Sequence, residues 1–265
     1  MAKTLIEVKH LKKYFPTPKG MLHAVDDVTF SIGEGKTMGV VGESGCGKST
    51  LGRTLIHLYE STDGQIFFKG KDITHVGKRK LHELRKEMQI IFQDPYSSLN
   101  PAKKVGWILE EPLRLRTKLC AEERRQKVHS MLERVGLEEK IADRFPRQLS
   151  GGQRQRVCIA ESLMLEPELL IADEPVSALD VTIQAQIIEL LIRLQKEMGL
   201  AILFISHDMR VVYQLCQRVM VMKDGCIVES GDVDEVYFHP QHPYTKELLE
   251  AAGIEDEAEE QRKGD

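Results

Sequence analysis

No apolar run in this sequence approaches the about 18 residues of a membrane-spanning helix, so any membrane association has to come through a partner. Met1-Ala2-Lys3-Thr4 begins no secretion signal, and the chain is expected in the cytosol. Its five cysteines, at 46, 120, 158, 216 and 226, are odd in number and scattered, with no C-x-x-C pair. That spacing excludes a disulfide framework and suits neither zinc nor an iron–sulfur cluster; it fits free thiols in a reducing compartment. Cys46 is the one thiol placed to be alkylation-sensitive in a functional loop. Net positive charge is also missing: the formal balance is −4, which gives no general attraction to nucleic acid or anionic lipid. The basic clusters Lys78-Arg79-Lys80 and Arg124-Arg125-Gln126-Lys127 read as solvated faces. There is no internal repeat, and low complexity is confined to the acidic tail from Glu255 to Asp265, expected to be disordered. What remains is a globular chain of 265 residues, 42% apolar and 29% charged. It is long enough for one large domain, or one domain with an insertion.

The chain is organised around Gly42-Glu43-Ser44-Gly45-Cys46-Gly47-Lys48-Ser49-Thr50, the pattern G-x-x-x-x-G-K-S/T. An apolar strand, Met38 to Val41, leads in and a helix-compatible stretch, Lys48 to Leu58, leads out. Glycine lets the backbone turn sharply and approach an anion, and successive N–H groups at a helix start then face it. Lys48 can reach the β- and γ-phosphates, and Ser49 can offer its hydroxyl to Mg²⁺. This is a nucleotide site.

Residues 4–10 and 28–32 read as strands, with Tyr14-Phe15-Pro16-Thr17-Pro18-Lys19-Gly20 as an exposed loop between them. An aromatic in that loop either stacks on a base or covers the core. Gln65–Lys69 and Lys69-Gly70-Lys71-Asp72 read as a hairpin, and Gln89–Phe92 as a buried strand ending at Gln93. Asp94 to Pro101, bounded by prolines, halts regular structure. From about 103 to 164 the pattern is helical, with one helix over 121–135 stopped by Gly136.

Ser150 sits where an N-cap belongs, ahead of Gly151, Gly152 and Gln153, and the two glycines allow close approach to an anion. Leu169 to Glu174 is an apolar strand ending in two carboxylates; Asp173 fits a Mg²⁺ site and Glu174 is placed to polarise a water. Ser177 to Asp180 is a short loop before an amphipathic helix at 181–198. A core strand, 201–206, delivers His207 to the same sheet edge as the phosphate loop, favouring a γ-phosphate contact. Val219–Met222 and Cys226–Glu229 form a hairpin across Asp224-Gly225, and 245–252 is helical.

The order of these pieces strongly resembles the ATP-binding subunit of an ABC transporter over nearly the whole chain. The resemblance implies an α/β fold: a P-loop NTPase (RecA-like) core with an antiparallel β subdomain and a helical subdomain. The nucleotide-binding domain would span 1–235, its helical part about 94–160, and a C-terminal extension would follow at 236–265. It implies adenine stacking on Tyr14, with Phe15 as the near alternative, and phosphate contacts from Gly42, Ser44, Gly45, Gly47, Lys48, Ser49 and Thr50. Gln93 matches the Q-loop glutamine and, with Ser49 and Asp173, the Mg²⁺ site; Leu149–Gln153 matches the signature, Ser177–Asp180 the D-loop, and His207 the switch histidine. Catalysis would fall to Glu174, His207, Lys48 and Gln93. Two such domains pack head to tail in that family. Ser150, Gly151, Gly152, Gln153 and Asp180 would then serve a nucleotide at the dimer junction, with Ser150 and Gly152 reaching the γ-phosphate held by the other copy.

Gln93-Asp94-Pro95-Tyr96-Ser97-Ser98-Leu99-Asn100-Pro101 and His239-Pro240-Gln241-His242-Pro243-Tyr244-Thr245 look like signatures of prokaryotic dipeptide, oligopeptide and nickel importers. The second stretch also reads as a proline-capped start to the last helix. Such importers resemble five-part assemblies of a solute-binding protein, two permeases and two ATPase subunits, alike or different, on the cytoplasmic face of the plasma membrane. The Tyr-Ser-Ser form suggests the second of the paired ATPases. With no cysteine after Cys226, the iron–sulfur cluster carried by many members is not expected. The ATPase subunit does not touch cargo, so its residues leave open dipeptides, longer peptides, nickel or another small solute. A soluble ABC ATPase acting on nucleic acid or ribosomes is the alternative of another class, although the tandem domains, long coiled-coil arms and zinc insertions of such proteins are missing. A non-enzymatic ATP sensor would be expected to lack the pair Glu174 and His207.

Overall fold

A computed structural model describes residues 3–18 and 20–254, the side chains of Pro95 and Tyr96 excepted. The chain begins with β1 (Thr4–Thr17), β2 (Gly20–Gly33), β3 (Thr37–Val41), α1 (Lys48–Leu55), β4 (Asp63–Phe68) and β5 (Lys71–Asp72). Then come α2 (Lys78–Glu87), β6 (Met88–Ile91), α3 (Pro95–Ser98), α4 (Val105–Arg116), α5 (Ala121–Arg134), α6 (Gly151–Leu163), β7 (Leu169–Asp173) and α7 (Val181–Met198). It closes with β8 (Ala201–Ile205), α8 (Met209–Leu215), β9 (Arg218–Lys223), β10 (Cys226–Asp232), α9 (Val233–Phe238) and α10 (Pro243–Ala251). These elements form two compact units, Met1–Lys78 with Ala201–Asp265, and Arg79–Leu200.

In the first unit an antiparallel sheet runs β2-β1-β4-β5, and a second set of strands runs β10-β9-β3-β8. β3 lies parallel to both β8 and β9, which explains its composition. All five residues of Thr37–Val41 and all five of Ala201–Ile205 are buried, as befits parallel strands covered on both faces. The turns Lys69-Gly70 and Asp224-Gly225 both take two successive positive φ values, the mirror-image geometry that matches the twist of a hairpin.

In the second unit β6 lies parallel beside β7, register Ile91 to Ala172. Helix α7 buries Ile187, Ile188, Leu190, Leu191 and Leu194 on one stripe and stops at Gly199, φ 64°. Helices α4, α5 and α6 pack on one another, and Ile108, Leu109, Val128, Leu132 and Val157 on them are buried.

Several expectations change. Tyr14 to Thr17 form the end of a long β1, not a loop: Tyr14 pairs His23, Phe15 pairs Leu22 and Pro16 pairs Met21. Past Lys12, β1 has a ladder on one side only, so Pro16 needs no second donor there. Helix α1 ends at Leu55 instead of Leu58, and His57 turns left-handed at φ 57°. The stretch from Asp94 to Pro101 contains one helical turn, α3, which begins at a proline. Helix α2 was not anticipated because it buries only Leu84 and so carries no apolar stripe. Helices α8 and α9, of seven and six residues, are too short for a periodic signal. The acidic stretch from Glu255 onward lies outside the described residues.

Candidate functional site

In the first unit the phosphate loop joins β3 to α1. Gly42 and Gly47 are required there by both conformation and space. Their φ values are 148° and 108°, and a Cβ would lie 2.1 Å from the Met222 carbonyl oxygen or 1.9 Å from that of Ala24. Lys48 is 4% exposed, and its ammonium donates to the carbonyls of Gly42 (2.7 Å) and Glu43 (2.8 Å). A buried cation held by neutral carbonyls is matched in hydrogen bonds but not in charge, which is an electrostatic preference for an anion. The Gly225 N–H donates to the Cys46 carbonyl (3.0 Å), so the β9–β10 turn braces the loop from outside. Burial pushes the Cys46 thiol up from its ordinary range, against the pull of Lys48. The alkylation-sensitive thiolate expected at Cys46 is thus disfavoured by its surroundings.

Strand β8 carries His207 to the phosphate-loop end of the sheet. Val40 pairs with Ile205, and Ser206 N–H donates to the Val40 carbonyl (3.1 Å), so His207 leaves where Val41 does. Tyr14 and Phe15 point to opposite faces of β1. Phe15 meets Tyr59 edge-on, with Lys13 over its ring. Tyr14 stacks on His23 with ring centres 3.9 Å apart, and its hydroxyl donates to the Asp26 carboxylate (2.5 Å). That hydrogen bond, more than desolvation, raises the Tyr14 hydroxyl to about 12, and holds Asp26 below its ordinary value. Asp26 N–H donates to the Gly225 carbonyl (2.8 Å), whose own N–H reaches Cys46. Tyr14 is therefore tied, through Asp26 and one turn residue, to the phosphate loop. Sequence reasoning missed His23 and Asp26, because only the register of the β1–β2 hairpin brings them opposite Tyr14.

In the second unit the parallel pair β6 and β7 delivers Gln93 and Glu174 to one edge, where the Gln93 side-chain amide donates to the Glu174 carboxylate at 2.9 Å. Asp173, the last residue of β7, is fully buried. Glu174 takes φ 48°, a left-handed turn that a non-glycine residue adopts at some cost. Ser150 caps α6: its hydroxyl accepts from Gln153 N–H (3.3 Å), and the Gln153 side chain accepts from Ser150 N–H (3.1 Å). The signature loop rests on the region of the D-loop, since a Cβ on Gly152 would lie 2.8 Å from Ile183 and one on Gly151 3.5 Å from Leu179. Asp180 caps α7 through Ile183 N–H (3.0 Å), and Gln184 ties down the carbonyls of Val176 and Leu179.

Among the described residues, no group of three acidic, histidine or cysteine side chains could hold a metal alone. Mg²⁺ takes one or two protein oxygens and completes its shell with phosphate and water, and Ser49 and Asp173 are hard oxygen donors of that kind. No helix among the described residues is long and apolar enough to cross a membrane.

Residues 25–177 match the family model described as ABC transporter. The chain is 51% identical over 258 residues to the oligopeptide transport ATP-binding protein OppF of Bacillus subtilis (strain 168), covering 97% of this chain and 85% of that one. It is 51% identical to the dipeptide transport ATP-binding protein DppF of Haemophilus influenzae, over 93% of this chain and 77% of that one. Among solved structures it superposes on the dimeric, post-hydrolysis ATP-binding cassette MJ0796 bound to ADP and Pi. The TM-score is 0.79 and the identity 29%, over 86% of this chain and 99% of the other. It also matches cbiO1 from Clostridium perfringens (TM-score 0.80, identity 32%), over 89% of this chain and 92% of that one. With a strand-braced phosphate loop around a buried lysine and a glutamine-held glutamate at a strand end, the chain belongs to the ABC transporter family and is one of its ATPases.

Proposed function

We propose that this chain hydrolyses ATP to ADP and phosphate to power import of di- or oligopeptides through a membrane transporter. The observation that carries the reading is the 51% identity, over 97% of the chain, to an oligopeptide transport ATP-binding protein. The phosphate loop holds the triphosphate through its N–H groups and Lys48, while Tyr14 offers a ring to the adenine. Ser49, Gln93 and Asp173 serve Mg²⁺, which when bound neutralises charge developing on the phosphates. Glu174 orients the attacking water, the Gln93 amide fixes that carboxylate, and His207 steadies the terminal phosphate.

Two copies, identical or paralogous, then close on nucleotide head to tail, with Ser150 to Gln153 of each facing the other's phosphate loop. The dimeric state of the MJ0796 cassette supports this. The pair docks on two permease subunits at the cytoplasmic face of the membrane, and a solute-binding protein supplies cargo. ATP binding biases this two-state closure and hydrolysis releases it. The test is peptide uptake by the purified transporter, reconstituted with its permeases and binding protein. ATP-dependent uptake that stops with Glu174→Gln is expected; ATP turnover without uptake of any peptide would sink the transport reading.

A further inference from the structure

The segment His239-Pro240-Gln241-His242-Pro243-Tyr244-Thr245 performs none of the roles described so far, yet it is built firmly into the first unit. The Glu229 carboxylate on β10 accepts from the backbone N–H groups of Gln241 (2.8 Å) and His242 (3.0 Å). The Gln241 side chain donates to the His239 carbonyl (2.8 Å), and the His242 ring accepts from Tyr244 N–H (3.2 Å), capping α10. These bonds aim one side chain inward. Tyr244 is 3% exposed, Lys223 lies over its ring at 4.4 Å, and its hydroxyl accepts from the Glu43 N–H at 3.0 Å.

That N–H shares a peptide plane with the Gly42 carbonyl, and the peptide is trans, so the two groups point to opposite sides. On the inner side the Gly42 carbonyl accepts from Lys48 (2.7 Å); on the outer side Tyr244 holds the N–H. The Glu43 N–H, taken up by Tyr244, therefore faces away from the Lys48 ammonium. Gly42 itself resists no rotation through side-chain bulk, being glycine at φ 148°. The outer hydrogen bond thus gives the plane that sets the resting position of Lys48 a second anchor, opposite the lysine.

We infer that Tyr244 is a positioning residue for the phosphate loop: its hydroxyl pins the Gly42–Glu43 peptide from outside and thereby preorganises Lys48 for the triphosphate. The His-Pro-Tyr segment is the mount for that pin. The proposal rests on residues 42–50 holding the nucleotide, so Lys48→Ala is measured alongside.

The experiment measures binding of a fluorescent ATP analogue, steady-state ATPase kinetics and exchange of the Glu43 amide in the purified full chain. Tyr244→Phe keeps the ring under Lys223 and deletes only the hydroxyl. Loss of one hydrogen bond should weaken ATP binding by about fivefold, raise KM by a like factor, leave kcat within about twofold and speed Glu43 amide exchange. Tyr237→Phe is the structural control, since the buried Tyr237 hydroxyl donates to the Met209 carbonyl (2.6 Å) away from the loop. It should lower thermal stability without altering ATP affinity. If Tyr244→Phe behaves as Tyr237→Phe does, less stable but with unchanged ATP binding and Glu43 exchange, the positioning role is overturned. Unimpaired binding by Lys48→Ala would overturn the phosphate-loop reading and this inference together, whereas lost binding there leaves the first standing whatever Tyr244 does.

Discussion

Two glycine-rich loops carry this molecule's polar machinery, and they use glycine for different reasons. At 42–50 the chain itself demands it: Gly42 and Gly47 occupy positive φ with backbone carbonyls where a Cβ would be. The loop's cation is 4% exposed and its outer surface is held by Gly225 and Tyr244. At 150–153 neither glycine has positive φ, and Gly151 has only an ordinary contact with Leu179 where its Cβ would go. Ser150 and its capping box lie at the surface. One loop is finished by its own chain. In the other, Gly152 is crowded by the Ile183 side chain, 2.8 Å from where its Cβ would be, but Gly151 has room for one, which suits the approach of a ligand or partner that the chain does not supply.

The largest test of this contrast is Glu174→Gln, which removes the carboxylate proposed to orient water while keeping a group that Gln93 can hydrogen-bond. Turnover should fall by ~10²–10⁴-fold, ATP binding should persist, and ATP-bound dimers should accumulate on size exclusion. If turnover survives, Glu174 is not the residue that orients water. Next comes Gly151→Ala, which sharpens the comparison directly. Alanine fits the helix start, so stability should hold or improve by about 0.5 kcal/mol. ATPase activity at saturating ATP should nevertheless drop on the order of 10²-fold if the position must admit a close partner. Full activity with alanine would mean the glycine is there for nothing beyond local geometry.

A smaller effect concerns the second unit alone. Glu161 lines a cleft with Phe92, Ser98, Pro112, Cys158 and Ser162, and burial first, then the Glu111 charge, raises its carboxyl to about 7. A folded value above the unfolded one means the native state binds the extra proton. The associated stability is complete below the ordinary carboxyl range and is lost as pH climbs through about 7. Glu161→Gln should therefore flatten the pH dependence of unfolding and, at pH 8, stabilise the chain by up to about 3 kcal/mol. Chemical denaturation at pH 5 and pH 8 would show it; equal stability of the two proteins at both values would contradict the assignment.

Much of this was legible along the chain because the informative features are local. The apolar runs at 37–41, 169–173 and 201–205 are strands buried on both faces, and such strands need no partner to be read. Ser150 and Asp180 were legible as helix starts for the same reason, since a cap acts within three residues. The extent of β1 was not, because a strand containing Pro16 is tolerated only where the neighbouring ladder ends, and that is a property of β4.

The sequence alone determined the phosphate loop, the carboxylates at the end of β7 and the cap at Ser150, each a matter of spacing along a few residues, and the order of these pieces carried the resemblance that implied the fold class. Tertiary structure decided which residues brace them. His23 and Asp26 meet Tyr14 only through a hairpin register, Gln93 meets Glu174 only because β6 and β7 are parallel neighbours, and Tyr244 reaches Glu43 across 201 positions. Such pairings are set by how buried faces stack. No local pattern of residues records them.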